Sequence, residues 1–176
     1  MTILFIVLGV LALPFAIAFF LKKEYTVQRE TEIDAAPGTV FNYVKFVKNT
    51  AHFSKWVMQD SDSRKEYVGT DGTVGFVFKW DSDDKQVGKG EQEIIAINEG
   101  GRIEFEIRFI KPFEGRSIAW METIAISEHR TRLTWVFNGK MKYPMNIITL
   151  FMNMDKVLGN DMEISLENLK NILESR

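Results

Sequence analysis

Residues 102–139 read RIEFEIRFIKPFEGRSIAWMETIAISEHRTRLTWVFNG, and this stretch decides the fold class. Ile103, Phe105, Ile107 and Phe109 alternate with Glu104, Glu106 and Arg108, the period-two pattern of a strand with one dry and one wet face. Leu133, Trp135 and Phe137 repeat it further on. Lys111-Pro112 and Glu128-His129-Arg130 interrupt the pattern with turn residues. Joints this short force antiparallel neighbours, because a parallel crossover needs about a dozen residues or more.

Working outward, the same grammar covers 64–69, 73–80 and 88–98, separated by Thr70-Asp71-Gly72, Asp81-Ser82-Asp83-Asp84 and Glu99-Gly100-Gly101. The Asp81–Asp84 run has a calcium-loop look, but its spacing lacks the glycine and glutamate such a loop needs, so it reads as a hairpin turn and no metal site is expected. Residues 25–33 (YTVQRETEI) form an earlier strand. Pro37 then opens a helix carrying Val40, Phe41, Val44 and Val47, and Asn49-Thr50 reads as the cap of a second short helix through Trp56. From Pro144 to about Glu174 one long helix is expected. Ile148, Phe151, Leu158, Met162, Leu166, Leu169 and Leu173 lie on its apolar stripe, with Gly159 as a point of kinking or interruption. The order predicts an α+β design: a curved antiparallel sheet of about six or seven strands around a long C-terminal helix, with two short helices after the first strand.

Composition narrows the classes. The 176 residues hold 22 Lys+Arg against 24 Asp+Glu, a balance that gives no basic footprint for nucleic acid. The chain has no cysteine, so it has no disulfide framework, and only two histidines, His52 and His129. No metal-hydrolase, phosphate-loop or serine-hydrolase motif occurs, and no cofactor is expected.

The first twenty-one residues, MTILFIVLGVLALPFAIAFFL, carry no charged side chain, and Lys22-Lys23 closes the run. As a helix, 3–21 rises roughly 28 Å, against a hydrocarbon core of ~30 Å. The expectation is a transmembrane anchor over 1–23, with Ile3, Leu8, Leu13, Phe19 and Leu21 among its lipid-facing residues, followed by one domain over 24–176. The two lysines favour a cytoplasmic domain. Ala16-Ile17-Ala18 leaves open a cleaved signal and export. The bilayer is then a partner, with Lys140 and Lys142 beside Tyr143 able to touch anionic headgroups. Oligomeric state is not legible.

The segments Ala35-Ala36-Pro37, Val40-Phe41, Trp56, Gly88-Lys89-Gly90-Glu91 and Lys111-Pro112-Phe113 form one half of a pattern. Thr131-Arg132-Leu133-Thr134-Trp135 and the tail 160–170 form the other. Together they resemble the polyketide cyclase/dehydrase-like branch of the SRPBCC (START-like, helix-grip) superfamily over about residues 25–175. The resemblance implies a cavity between the curved sheet and the last helix, commonly used for hydrophobic ligands, and it does not by itself choose among binding, transport and catalysis.

On that basis the cavity candidates are Phe76, Phe78 and Trp80, Phe105 and Ile107, Trp120 and Trp135, and from the tail Phe151, Met154, Leu158 and Met162. The methionines Met141, Met145, Met152, Met154 and Met162 suit either a tolerant lining or a gap-filled core. No catalytic residue is assigned. Glu122 shares strand parity with Ile118, Trp120, Ile124 and Ile126, so it is an acid candidate if that face turns inward; the alternative puts Met121, Thr123 and Ala125 inside. His52 is a base candidate. The expected function is binding of a hydrophobic or amphipathic small molecule. A cyclase- or dehydrase-type enzyme is one alternative, and a non-enzymatic interaction or stress-response module another.

Overall fold

In a computed structural model of the chain, residues 2–175 are described, with side chains from Leu11 onward. Seven strands form one antiparallel sheet: β1 (Glu24–Ile33), β2 (Arg64–Val68), β3 (Val77–Asp81), β4 (Lys89–Asn98), β5 (Arg102–Lys111), β6 (Gly115–Ser127) and β7 (Arg130–Lys140). Their order across the sheet is β1-β7-β6-β5-β4-β3-β2. The six strands from β2 to β7 are a meander built by short joints, and β7 pairs on its other side with β1. The expected strand over 73–80 starts as a regular strand only at Val77: Gly72 and Gly75 adopt positive φ and bend the chain ahead of it, although Gly75 and Phe76 already hydrogen-bond to Ile94.

Helix α1 (Thr2–Phe20) precedes the sheet. Between β1 and β2 lie α2 (Pro37–Lys45), α3 (Thr50–Phe53) and α4 (Lys55–Gln59). The expected second helix is thus two, broken at Ser54, which is extended and buried. Asn49 does not cap it: its amide donates back to the Tyr43 carbonyl at 2.7 Å.

The tail also differs from the expected single helix. Met145–Leu150 is a 3-10 segment, and α5 runs from Met154 to Glu174. The break falls at Asn153, whose side chain accepts from the Lys156 amide and caps α5. Gly159 does not interrupt the helix. A Cβ there would sit 1.9 Å from Nη2 of Arg29, so glycine lets the β1 guanidinium lie directly on the helix backbone. Arg29 is held in that seat by Asp155 (2.9 Å) on one side and Glu163 on the other. Met162, Leu166, Leu169 and Leu173 pack under the sheet with Val27, Ile33, Ile94, Ile103 and Leu133. Each such burial contributes about 1.5–3 kcal/mol of transfer free energy.

The Arg29 clamp has a pH signature. The hydrogen bond from Arg29 holds the Asp155 carboxyl below the usual carboxylate range. A depressed folded-state pKa contributes stability that is present above the unfolded value, near 4, and lost as pH falls through the folded value. The thermal midpoint therefore drops on acidification below about pH 4. Arg29→Met shallows that drop, and matching slopes for variant and parent between pH 5 and pH 2.5 would show that the clamp does not contribute.

The membrane-anchor expectation is corrected. Among the described residues, no helix is long and apolar enough to cross a membrane. The last turn of α1 is docked on the domain: Ala18 is fully buried, and the buried Asn146 amide donates to the carbonyls of Ala18 (2.6 Å) and Leu21 (3.2 Å). The part of α1 before Ala18 rises only about 24 Å, short of a ~30 Å hydrocarbon core. The single-pass assignment and its cytoplasmic orientation fall with it. Of the five proposed lipid-facing residues, Leu13 and Phe19 are exposed and Leu21 is half-buried; the side chains of Ile3 and Leu8 lie outside the described residues. Lys140 pairs with Glu24 at 2.9 Å and Lys142 with Glu114 at 3.7 Å, all four side chains exposed.

Candidate functional site

A cavity of about 290 Å³ opens between the concave sheet face, α4 and the first turns of α5. The sheet supplies most of its wall. Phe78 and Trp80 come from β3, Phe105, Ile107 and Phe109 from β5, Ala119 and Met121 from β6, and Trp135 and Phe137 from β7. Helix α4 adds Trp56, Val57 and Gln59, and α5 adds Leu158. Strand alternation is the reason these side chains converge. Inward residues two apart share a face, and cross-strand register puts Phe105 beside Ala119 and Ala119 beside Phe137.

The aromatic groups are braced against one another. Trp56 meets Trp135 edge-on at 5.6 Å, and Trp80 meets Phe109 edge-on at 6.3 Å. Helix α4 is fixed through Asp161 of α5, which takes a hydrogen bond from Trp56 Nε1 (3.1 Å) and an ion pair from Lys55. The Lys55 amide donates to Ser165 Oγ at 2.9 Å. The mouth is polar. Gln59 donates to Gln86 across it at 3.3 Å, and Lys65 Nζ is bound by the carbonyls of Ser61 (2.9 Å) and Asp60 (3.3 Å). The Ser82 hydroxyl donates to Asp60 and holds that carboxyl below its usual range. Beside the mouth lies an acidic groove with Asp60, Asp62, Asp81, Asp83 and Asp84. Among the described residues, no group of histidine or carboxylate side chains could hold a metal ion.

Of the sequence-predicted lining residues, the structure brings Phe78, Trp80, Phe105, Ile107, Trp135 and Leu158 to the cavity. Phe76 and Met162 lie in the packed core beside it. Trp120 is on the opposite sheet face, with the Arg102 guanidinium 4.3 Å over its ring. Phe151 is exposed in the break before α5, and Met154 is half-buried without reaching the cavity. Of the methionines expected around the last helix, Met145 and Met152 are exposed and Met162 is core; among the described residues the one lining methionine is Met121.

The acid and base candidates lie elsewhere. Met121 and Thr123 are buried, so Glu122 points to the outer face, and His52 is exposed on α3. Lys65 is the one ionisable lining residue among those described, so no acid–base pair converges on the cavity. Sequence reading missed Gln92, Gln59 and Lys65. Gln92 had a legible signal, since it shares strand parity with Ile94, but it stood masked between Glu91 and Glu93.

A family model described as polyketide cyclase/dehydrase and lipid transport matches residues 24–174. The chain belongs to that family. The match covers the whole sheet and all of α5, so the polyketide cyclase/dehydrase and lipid transport family frames the cavity. Solved structures agree on the fold. A protein from Chromobacterium violaceum superposes with a TM-score of 0.60 at 16% identity, over 85% of this chain and 96% of that one. Truncated norcoclaurine synthase from Thalictrum flavum gives 0.66 at 8% identity, over 87% and 95%. The same enzyme in complex with dopamine and hydroxybenzaldehyde gives 0.63 at 11% identity, over 87% and 88%. At such identities the likeness shows the fold alone. The search of curated protein sequences found no match.

Proposed function

We propose that this family member binds a small hydrophobic or amphipathic molecule in the cavity between the sheet, α4 and α5. The observation that carries the reading is the aromatic wall around about 290 Å³ of space that α4 and α5 leave unfilled. A well-packed core of this size closes such space with side chains, because voids larger than a water are few. Ligand sites, in contrast, are concave, mostly apolar and furnished with a few polar groups. The volume gives room for a one- or two-ring molecule. The complex of norcoclaurine synthase with dopamine and hydroxybenzaldehyde, two small aromatic molecules, supports that size class.

The test is native mass spectrometry of the purified full chain after exposure to an extract of apolar small molecules. The parent is expected to retain a discrete adduct. Ala119→Phe, which places a ring in the cavity from its floor, is expected to reduce occupancy at least tenfold while keeping a cooperative unfolding transition. No adduct on the parent, or equal occupancy in the variant, would count against the cavity as a binding site.

A further inference from the structure

Gln92 occupies a position that packing alone does not explain. It sits in the middle of β4, in register with Phe78 on β3 and Ile107 on β5, and all three line the cavity. Its neighbours Glu91 and Glu93 face the other way, where Arg108 takes both carboxylates at 2.6 and 2.8 Å. Gln92 is half-buried and, among the described residues, its carboxamide has no protein partner. A primary amide offers two donors and an acceptor, and those of Gln92 keep accessible surface on the cavity wall, open to a polar group of a ligand.

The charges around the site define what the amide reads. Among the described residues no carboxylate lines the cavity, so a cationic ligand would find no counter-charge inside. Beside the mouth Asp60, Asp62, Asp81, Asp83 and Asp84 outnumber the cations Arg64 and Lys89 that pair with Asp81 and Asp83, a net acidic rim that disfavours an anion. The ammonium of Lys65 is already engaged by two carbonyls.

We infer that Gln92 is the specificity-determining residue of the cavity, and that the ligand class is an uncharged, compact molecule with an apolar body and a hydroxyl or carbonyl group hydrogen-bonded to the Gln92 carboxamide. The inference rests on the binding reading above. A hydroxyl both donates and accepts, so it suits the amide from either side.

The test is isothermal titration of the full chain with naphthalene, 2-naphthol and 2-naphthoate, which share one ring body and differ in the polar group. The parent is expected to bind 2-naphthol about tenfold more tightly than naphthalene, the worth of one hydrogen bond that would otherwise go unmade. Gln92→Leu, close in size to the parent side chain, is expected to erase that preference while retaining naphthalene. Equal binding of naphthalene and 2-naphthol by the parent, or a preference that survives in Gln92→Leu, overturns the role of Gln92 and leaves the cavity reading standing. Binding of none of the three overturns both. If 2-naphthoate binds tightest and loses its advantage in Lys65→Met, the polar reader is Lys65 and the ligand class is anionic.

Discussion

Leu169→Ala is expected to lower the unfolding free energy by about 3 kcal/mol, within the range measured for leucine truncation in packed cores. Leu169 is completely buried on the inner stripe of α5, in the cluster that joins the helix to the sheet. Truncation removes three carbon atoms from that contact, and rigid strands on the far side cannot move in to close the gap. For a chain of this length the loss corresponds to a fall of about 9 °C in the thermal midpoint. Ile164, on the same helix but 40% exposed, is the control. Ile164→Ala is expected to cost less than about 1 kcal/mol, since little of that side chain leaves water on folding. Urea titrations of both variants check the contrast, and equal costs would mean that α5 is not gripped by the sheet in the way described.

Gly90→Ala is expected to destabilise by about 2 kcal/mol, as overpacking does, and also to alter ligand binding. A Cβ at this position would lie 2.4 Å from Cζ2 of Trp80 and 2.7 Å from the backbone oxygen of Arg108. The indole cannot yield freely, because it is packed against Phe109 and its Nε1 donates to the Val87 carbonyl at 3.3 Å. The strand oxygen cannot yield without breaking sheet pairing. Relief therefore comes from tilting Trp80 toward the cavity, which consumes ligand space. Tryptophan emission and probe affinity should change together. A variant with parental stability and affinity would show that the Trp80 wall adapts at no cost.

Much of the fold was legible because period-two alternation is local. Ile103, Phe105 and Ile107 face inward as read, and so do Leu133, Trp135 and Phe137. Legibility failed on β6, where Ile118 and Trp120 on one parity and Ala119 and Met121 on the other are all apolar. Alternation then gives a strand without a side, and only pairing with β5 and β7 assigns Trp120 and Glu122 outward. Gln92 was hidden for the reverse reason, a polar residue among polar residues whose partners lie on another strand. Gly159 looked like a helix breaker because its real partner, Arg29, is distant in sequence.

The amino-acid sequence by itself determined that the domain is a curved antiparallel sheet closed by an amphipathic C-terminal helix, since periodicity and turn chemistry act between neighbours along the chain. The tertiary structure alone decided which face of β6 is inner, that α5 starts at the Asn153 cap, that the end of α1 is tied down by Asn146, and which six of the eleven anticipated residues surround the cavity. Those outcomes depend on contacts between segments far apart in sequence, and no local pattern records how much space such contacts leave unfilled.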